Sequence, residues 1–414
     1  MKTALALLLS FVTAAASAAA AQPHESTQID IVLMRHGVRS PTKPGEAYAV
    51  YANGDWPTWP VAPGILTPHG HAGMEAIGGR LRRLFLDDGV MAKGCPAPAS
   101  FVVIGDSTPR NIESAGALVD GLAPTCKGSF LAVEGGANNP LFHFVKDGGK
   151  NASDDDDSDA NVTDATPPPA LAELQSVLLG CTPATCTEVA AGQQKKLIPD
   201  SLAKAMKLAG TLSENLMLAY AEGMPMQSVA FGRADVTVLG RLITLHNAQF
   251  ASTKKAMPAA ANAASNVVAH IVASLDAARG SKTEVAPLSA FGHGVVVLVG
   301  HDTNLANVAG VLGLDWHDPL SPDDYPPGGA LIFSLVHRGN ADVVRVRSLM
   351  PSMNALRANR FDDIAAQPVR IAGCHAIGEC TVEEFDALAR KAIDPARVNA
   401  ALPVMKPTQG ENRK

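Results

Sequence analysis

The sequence predicts an α/β protein, with a mainly parallel sheet flanked by helices and a smaller all-α segment inserted into it. Short apolar, β-branched runs at residues 28–34, 101–104 and 294–300 read as fully buried strands. Helix-like stretches with clear start signals alternate with the first of these runs, the pattern of a sheet built by crossovers. A long block over residues 170–275 then shows helical periodicity with no strand-like run.

The chain has 414 residues. Lys2 precedes an apolar run over residues 4–12 and a small-residue stretch over 14–21 with several A-x-A sites. This layout reads as a signal peptide cleaved near Ala21/Gln22, since the apolar run is too short to span a bilayer. No later stretch is long and apolar enough to span a membrane, so the mature chain is expected to be a soluble monomer, periplasmic or secreted. Roughly 390 residues remain, more than one ordinary core holds. The formal charge is −6, or −7 without Lys2, and no basic stripe appears, which argues against a nucleic-acid partner.

Residues 28–34 (QIDIVLM) form the first expected strand, which ends directly at Arg35-His36-Gly37. Thr67 as cap and Pro68 at the first helical position open a helix to about Leu86. After the strand 101–104, Ser107-Thr108-Pro109 starts a helix to about Leu122, with Arg110 in its first turn. Composition changes over residues 147–169, which hold a Gly pair, five aspartates between Asp154 and Asp159, and three prolines. That segment reads as a solvated loop, because it lacks the glycine and distal glutamate of a calcium-binding hand. Helices follow at 170–179, 200–222, 236–250 and 261–275. Residues 294–300 return to strand character and end at His301-Asp302, and 330–336 and 343–350 are two further strands. The expected organisation is a leader over 1–21, an α/β part over 22–146, a helical insertion over 147–254 and a second α/β part over 255–414.

Six cysteines in a chain that reads as exported point to disulfides, for which 15 connectivities are possible. The short spacings of Cys181/Cys186 and Cys374/Cys380 suggest local bridges, leaving Cys95 and Cys126. Cys-x4-Cys and Cys-x5-Cys without an adjacent histidine pair fit zinc poorly.

The cluster Arg35-His36-Gly37-Val38-Arg39-Ser40-Pro41-Thr42 follows a strand end, where ligands bind in open α/β sheets. Two guanidinium forks flanking a histidine suit a phosphate group, and a neutral imidazole is a competent nucleophile toward phosphorus. Gly37 is expected to let the backbone approach the ligand. His301-Asp302-Thr303-Asn304 occupies the equivalent place after another buried strand, where a His and an Asp can supply a phosphate ligand and a proton donor. Asp302 or Thr303 as a simple helix cap accounts for the aspartate but not for His301. Arg110 sits where the helix dipole disfavours a cation, so an anion bound nearby explains it better than a surface role does.

RHGVRSPT, with HDTN after a second hydrophobic strand, resembles the histidine acid phosphatase family, the second branch of the histidine phosphatase superfamily, and the bacterial periplasmic phytases within it. The resemblance covers nearly the whole mature chain and extends to GLAPTC (121–126), LHNAQF (245–250) and PPGG (326–329). It implies a phosphoglycerate-mutase-like fold and no metal or organic cofactor. It implies that His36 is the nucleophile, that Arg35, Arg39, Arg110 and His301 hold the transferred phosphate, and that Asp302 is the general acid. Thr42, Lys43, Asp106, Glu214 and His246 match residues that line the phytate pocket. The same resemblance pairs Cys95 with Cys126, Cys181 with Cys186 and Cys374 with Cys380. It also marks two departures, since a pocket arginine aligns loosely with Ala264 and a pocket methionine with Thr211. The motif His-Asp-Thr-Asn is that of the phytases, where sugar-phosphatase relatives tend to carry His-Asp-Ser-Asn.

The expected chemistry is a two-step hydrolysis of phytate and other phosphomonoesters through a phosphohistidine, with an acidic optimum because Asp302 must start protonated. A broad acid phosphatase or a glucose-1-phosphatase-like enzyme is the alternative within that class. A phosphoester-binding protein without turnover would need the arginines but not Asp302, and a mutase would need a second phosphorylated substrate outside the cytosol.

Overall fold

The computed structural model describes residues 25–126, 128–144, 168–199, 202–318 and 321–408. The expected leader, most of the acidic loop, and residue 200, the expected first residue of one helix, lie outside the described residues.

The chain runs through β1 (Glu25–Arg35), α1 (Pro68–Asp87), β2 (Phe101–Gly105), α2 (Pro109–Leu122) and β3 (Phe130–Ala132). Among the described residues five α-helices follow: α3 (Pro169–Leu179), α4 (Cys186–Gly192), α5 (Leu202–Ala221), α6 (Val236–Leu242) and α7 (Thr244–Thr253). Then come α8 (Ala259–Ala278), β4 (Gly294–Gly300), α9 (Asp302–Leu312), β5 (Leu314–Asp315), β6 (Ala330–Arg338) and β7 (Ala341–Leu349). The last described elements are α10 (Met353–Ala358), β8 (Gln367–Pro368), β9 (Arg370–Ile371), β10 (Glu379–Thr381), α11 (Val382–Ala392) and β11 (Lys406–Thr408).

The main sheet has the order β10-β7-β6-β1-β4-β2-β3-β11, with β8 paired to β7. Its centre is parallel, from β1 through β4 and β2 to β3. The β6–β7 hairpin adds antiparallel strands beside β1, and β11 closes the other edge antiparallel to β3. Alternation along β1 divides the core. Val32 and Met34 face α1, α2 and the helices that follow β3, whereas Ile31 and Leu33 face α8, α9 and α11.

Local signals explain the helix starts. Thr67 caps α1 by accepting from the Gly70 N–H, and Pro68 and Pro109 occupy first-turn positions that need no N–H donor. The expected helix 236–250 is two helices, because the chain turns at Ile243 between α6 and α7. His301, not Asp302 or Thr303, is the N-cap residue of α9.

Three disulfides join Cys95 to Cys126, Cys181 to Cys186 and Cys374 to Cys380. We propose that the described helices within 147–254, α3–α7, form an inserted helical unit: they pack on one another, while α8 returns to the sheet layer beside α9 and α11. No described helix is long and apolar enough to cross a membrane.

Candidate active site

The site grows from three adjacent strand tips. Arg35 on β1 is opposite Gly300 on β4, and Gly105 on β2 is opposite Val299 on β4. The residues that follow, His36, His301 and Asp106, therefore emerge side by side. Backbone bonds lock this junction: His36 N–H donates to the Gly300 carbonyl at 2.9 Å, and Asp106 N–H to the Val299 carbonyl at 3.0 Å. The Pro326–Gly329 turn completes it, with Gly328 N–H donating to the His36 carbonyl at 3.0 Å. Gly328 has φ +69°, a left-handed conformation that favours glycine, and a Cβ there would also have to displace the tip of Ile77.

Gly37 is required for a different reason from the one expected. A Cβ on it would lie 2.8 Å from the Gly70 carbonyl and 2.7 Å from Met74 Cγ. Its small size lets the loop pack on α1 rather than on a ligand.

His36 is 1 % exposed. Its Nδ1 lies 2.8 Å from the Gly37 carbonyl oxygen, which can only accept, so Nδ1 carries the proton and Nε2 is left with its lone pair. Burial, then the charges of Arg110, Arg35 and Arg39, hold this imidazole well below the ordinary histidine value of 6.5. The result is a neutral ring with one bare nitrogen, ringed by guanidinium groups.

Arg35 is fully buried, and Nη1 donates to the Tyr325 carbonyl at 2.6 Å. Nη2 pairs with Glu214 on α5, and with Asp302 Oδ2 at 2.8 Å. Arg39 reaches the same Glu214 carboxylate at 3.3 Å. Burial alone would raise the Glu214 carboxyl, but the charges of Arg39, Arg35 and His246 outweigh it and hold the group far below the usual range. Glu214 thus remains an anion that holds both guanidinium groups in place. Arg110 lies 3.2 Å from His301 Nδ1, and the His36 and His301 rings stand edge to face at 5.6 Å.

The cavity over this cradle is lined by His36, Arg39, Thr42, Arg110, His301 and Asp302, with Glu214, His246 and Thr211 on its helical side. The structure therefore brings together most of the residues expected from the sequence. Lys43 is set apart: it is exposed and lines a neighbouring cavity of about 400 Å³ beside Trp56 and Trp59. Asp106 also lies off the cavity. It is fully buried behind His301 and accepts from Nε2 at 2.9 Å, so it orients that ring instead of lining the pocket. Ala264 is buried in the core among α8 contacts, so the substrate surface is not built from that position.

Four contributors were not expected. Gln249, Phe250 and Lys254 line the cavity from the end of α7, and Thr303 from the start of α9. His246, Gln249 and Phe250 share one helical face by spacing, so the period of the LHNAQF segment carries a signal for them.

The sequence model of the histidine phosphatase superfamily (branch 2) matches residues 30–222. The phytase AppA of Escherichia coli (strain K12) is 30% identical over 91% of this chain and 94% of its own. Glucose-1-phosphatase of Salmonella typhimurium is 27% identical over 93% of this chain and 98% of its own. The structure of Hafnia alvei phytase in complex with myo-inositol hexakis sulphate superposes with a TM-score of 0.72 at 26% identity, covering 90% of this chain and 98% of that one.

Proposed function

Because the chain belongs to branch 2 of the histidine phosphatase superfamily, we propose that it is an exported acid phosphomonoesterase that hydrolyses phytate and other phosphomonoesters in two steps. The observation that carries this reading is the bare Nε2 of a neutral His36 inside a ring of Arg35, Arg39 and Arg110. That nitrogen attacks phosphorus and forms a covalent phosphohistidine, while the guanidinium groups and His301 hold the equatorial oxygens.

The ion pair between Arg35 and Asp302 gives the acid a trigger. An incoming phosphate competes for the Arg35 fork and frees the Asp302 carboxyl to face the leaving oxygen. Protonated Asp302 gives its proton to the departing alkoxide; as carboxylate it then takes one from the water that attacks the phosphohistidine. Glu214 stays between Arg35 and Arg39 and keeps both forks aimed at the anion.

Lys254 and His246 at the cavity wall support a substrate with further negative groups, and the phytase relatives support the inositol phosphate class. Three disulfides and the leader-like start of the sequence support an oxidising, extracytosolic location. The test is kcat/KM for phytate, glucose 1-phosphate and p-nitrophenyl phosphate on one preparation. A clear preference for phytate is expected. A preference for glucose 1-phosphate would favour the sugar-phosphatase reading, and no phosphate release from any of them would overturn hydrolysis.

A further inference from the structure

On the far side of His301 from the cavity, three ligand-type atoms converge. Asp106 Oδ2 lies 2.9 Å from His301 Nε2 and 3.2 Å from His143 Nε2, and the two imidazole nitrogens are 3.2 Å apart. Asp106 and His301 are fully or almost fully buried, whereas the His143 side chain is 16% exposed. We propose that Asp106, His143 and His301 form a binding site for a divalent transition metal ion of the zinc type, reaching the hydrolytic centre through His301.

The geometry is that of one face of a tetrahedron. Bonds of about 2.0–2.1 Å require donor–donor edges of roughly 3.3–3.4 Å. The edges here are 2.9, 3.2 and 3.2 Å, so the donors need to part by only a few tenths of an ångström. An ion about 1 Å off their plane satisfies all three bonds. Two imidazoles and one carboxylate favour zinc, cobalt or nickel over magnesium or calcium, which prefer oxygen cages. Two of the ligands stand at the ends of neighbouring strands, and the exposed edge of His143 leaves a path for entry.

A second group, Glu214, His246 and Asp302, also brings three ligand atoms close together. It is the weaker candidate because Arg35 and Arg39 already hold Glu214, and Arg35 holds Asp302, so a cation there meets fixed positive charge. At the first site, among the described residues, Asp106 is held by no arginine: its Oδ2 meets His143, His301 and, at 3.4 Å, the Asn111 amide, while its Oδ1 is buried without a hydrogen-bond partner. Arg110 stands at the opposite edge of His301, beside Nδ1. An ion on Nε2 puts the proton on Nδ1, against the donor-only Arg110 guanidinium, so metal occupancy is coupled to the position of Arg110 in the anion cradle and through it to phosphate binding.

Zinc binding is measured by titration calorimetry on chelator-treated full-length protein with zinc chloride and no substrate, so its failure leaves the hydrolytic reading intact. The expected result is one saturable ion per chain and a rise in melting temperature with zinc. His143→Asn and His143→Gln are each expected to weaken binding at least tenfold, with His246→Asn leaving it unchanged. Circular dichroism melts establish that each variant is folded. No saturable zinc binding by the wild type, unchanged binding in a folded His143 variant, or loss only in His246→Asn would overturn the site.

Discussion

Asp302→Asn separates the two chemical steps. Asp302 Oδ1 accepts the Thr303 N–H at 2.7 Å, and asparagine keeps that oxygen, so α9 starts as before. What is lost is the charge against Arg35 and the exchangeable proton. A positioned acid contributes about 10²–10⁴-fold, or roughly 3–5 kcal/mol of barrier. For phytate the leaving group is a poor alkoxide, so kcat is expected to fall by about that factor with no burst. For p-nitrophenyl phosphate the phenoxide leaves without help, and only the attack of water on the phosphohistidine is slowed. Stopped-flow absorbance with this ester is therefore expected to show one p-nitrophenolate per site released rapidly, then slow turnover. Equal losses for both substrates with no burst would refute the assignment of Asp302 as proton donor.

Other outcomes follow from the same geometry. Lys254→Met is expected to raise KM for phytate several-fold with little effect on p-nitrophenyl phosphate, and the difference should shrink in high salt; steady-state kinetics at two ionic strengths checks it. His36 is held well below 6.5, so its neutral, nucleophilic form persists into acid, and the acid limb of kcat/KM should lie clearly below pH 6.5; a limb at 6.5 would contradict the buried, arginine-ringed imidazole. Asp30 is pushed up to about 7, first by burial and then by Asp88. A raised folded value means the folded state holds this proton more tightly, so stability is full below the unfolded value of 3.8 and falls as pH rises toward about 7. The loss is at most roughly 4 kcal/mol, and Asp30→Asn should flatten that part of the denaturant-melt profile.

The parts of the fold visible in the sequence were those fixed locally. β1, β2 and β4 are short apolar runs that can only be buried, and Thr67-Pro68 and Pro109 mark helix starts by their own chemistry. The antiparallel β6–β7 hairpin beside β1 depends on pairing between residues some 300 positions apart, which periodicity does not encode. The same limit holds at the site. His36, His301 and Asp302 were legible because each follows a strand, and strand tips share an edge. The family resemblance places Asp106 in the pocket, yet its side chain turns behind His301 and meets His143 from a different loop. Gly37 was read as space for a ligand, but the neighbour that fills the space is α1, which the local sequence does not show. Lys254 was missed because the end of α7 reaches the cavity only through the packing of α7 on α5.

Acid-labile phosphate on His36 is the most direct test of covalent catalysis. Wild-type protein mixed with radiolabelled substrate and quenched in alkali within the first turnover should carry up to one phosphoryl group per chain, located by mass spectrometry on the peptide that holds His36. Folded His36→Ala should carry none and release no phosphate above background. Full turnover without any labelled protein, or label retained in the His36→Ala chain, would contradict the account.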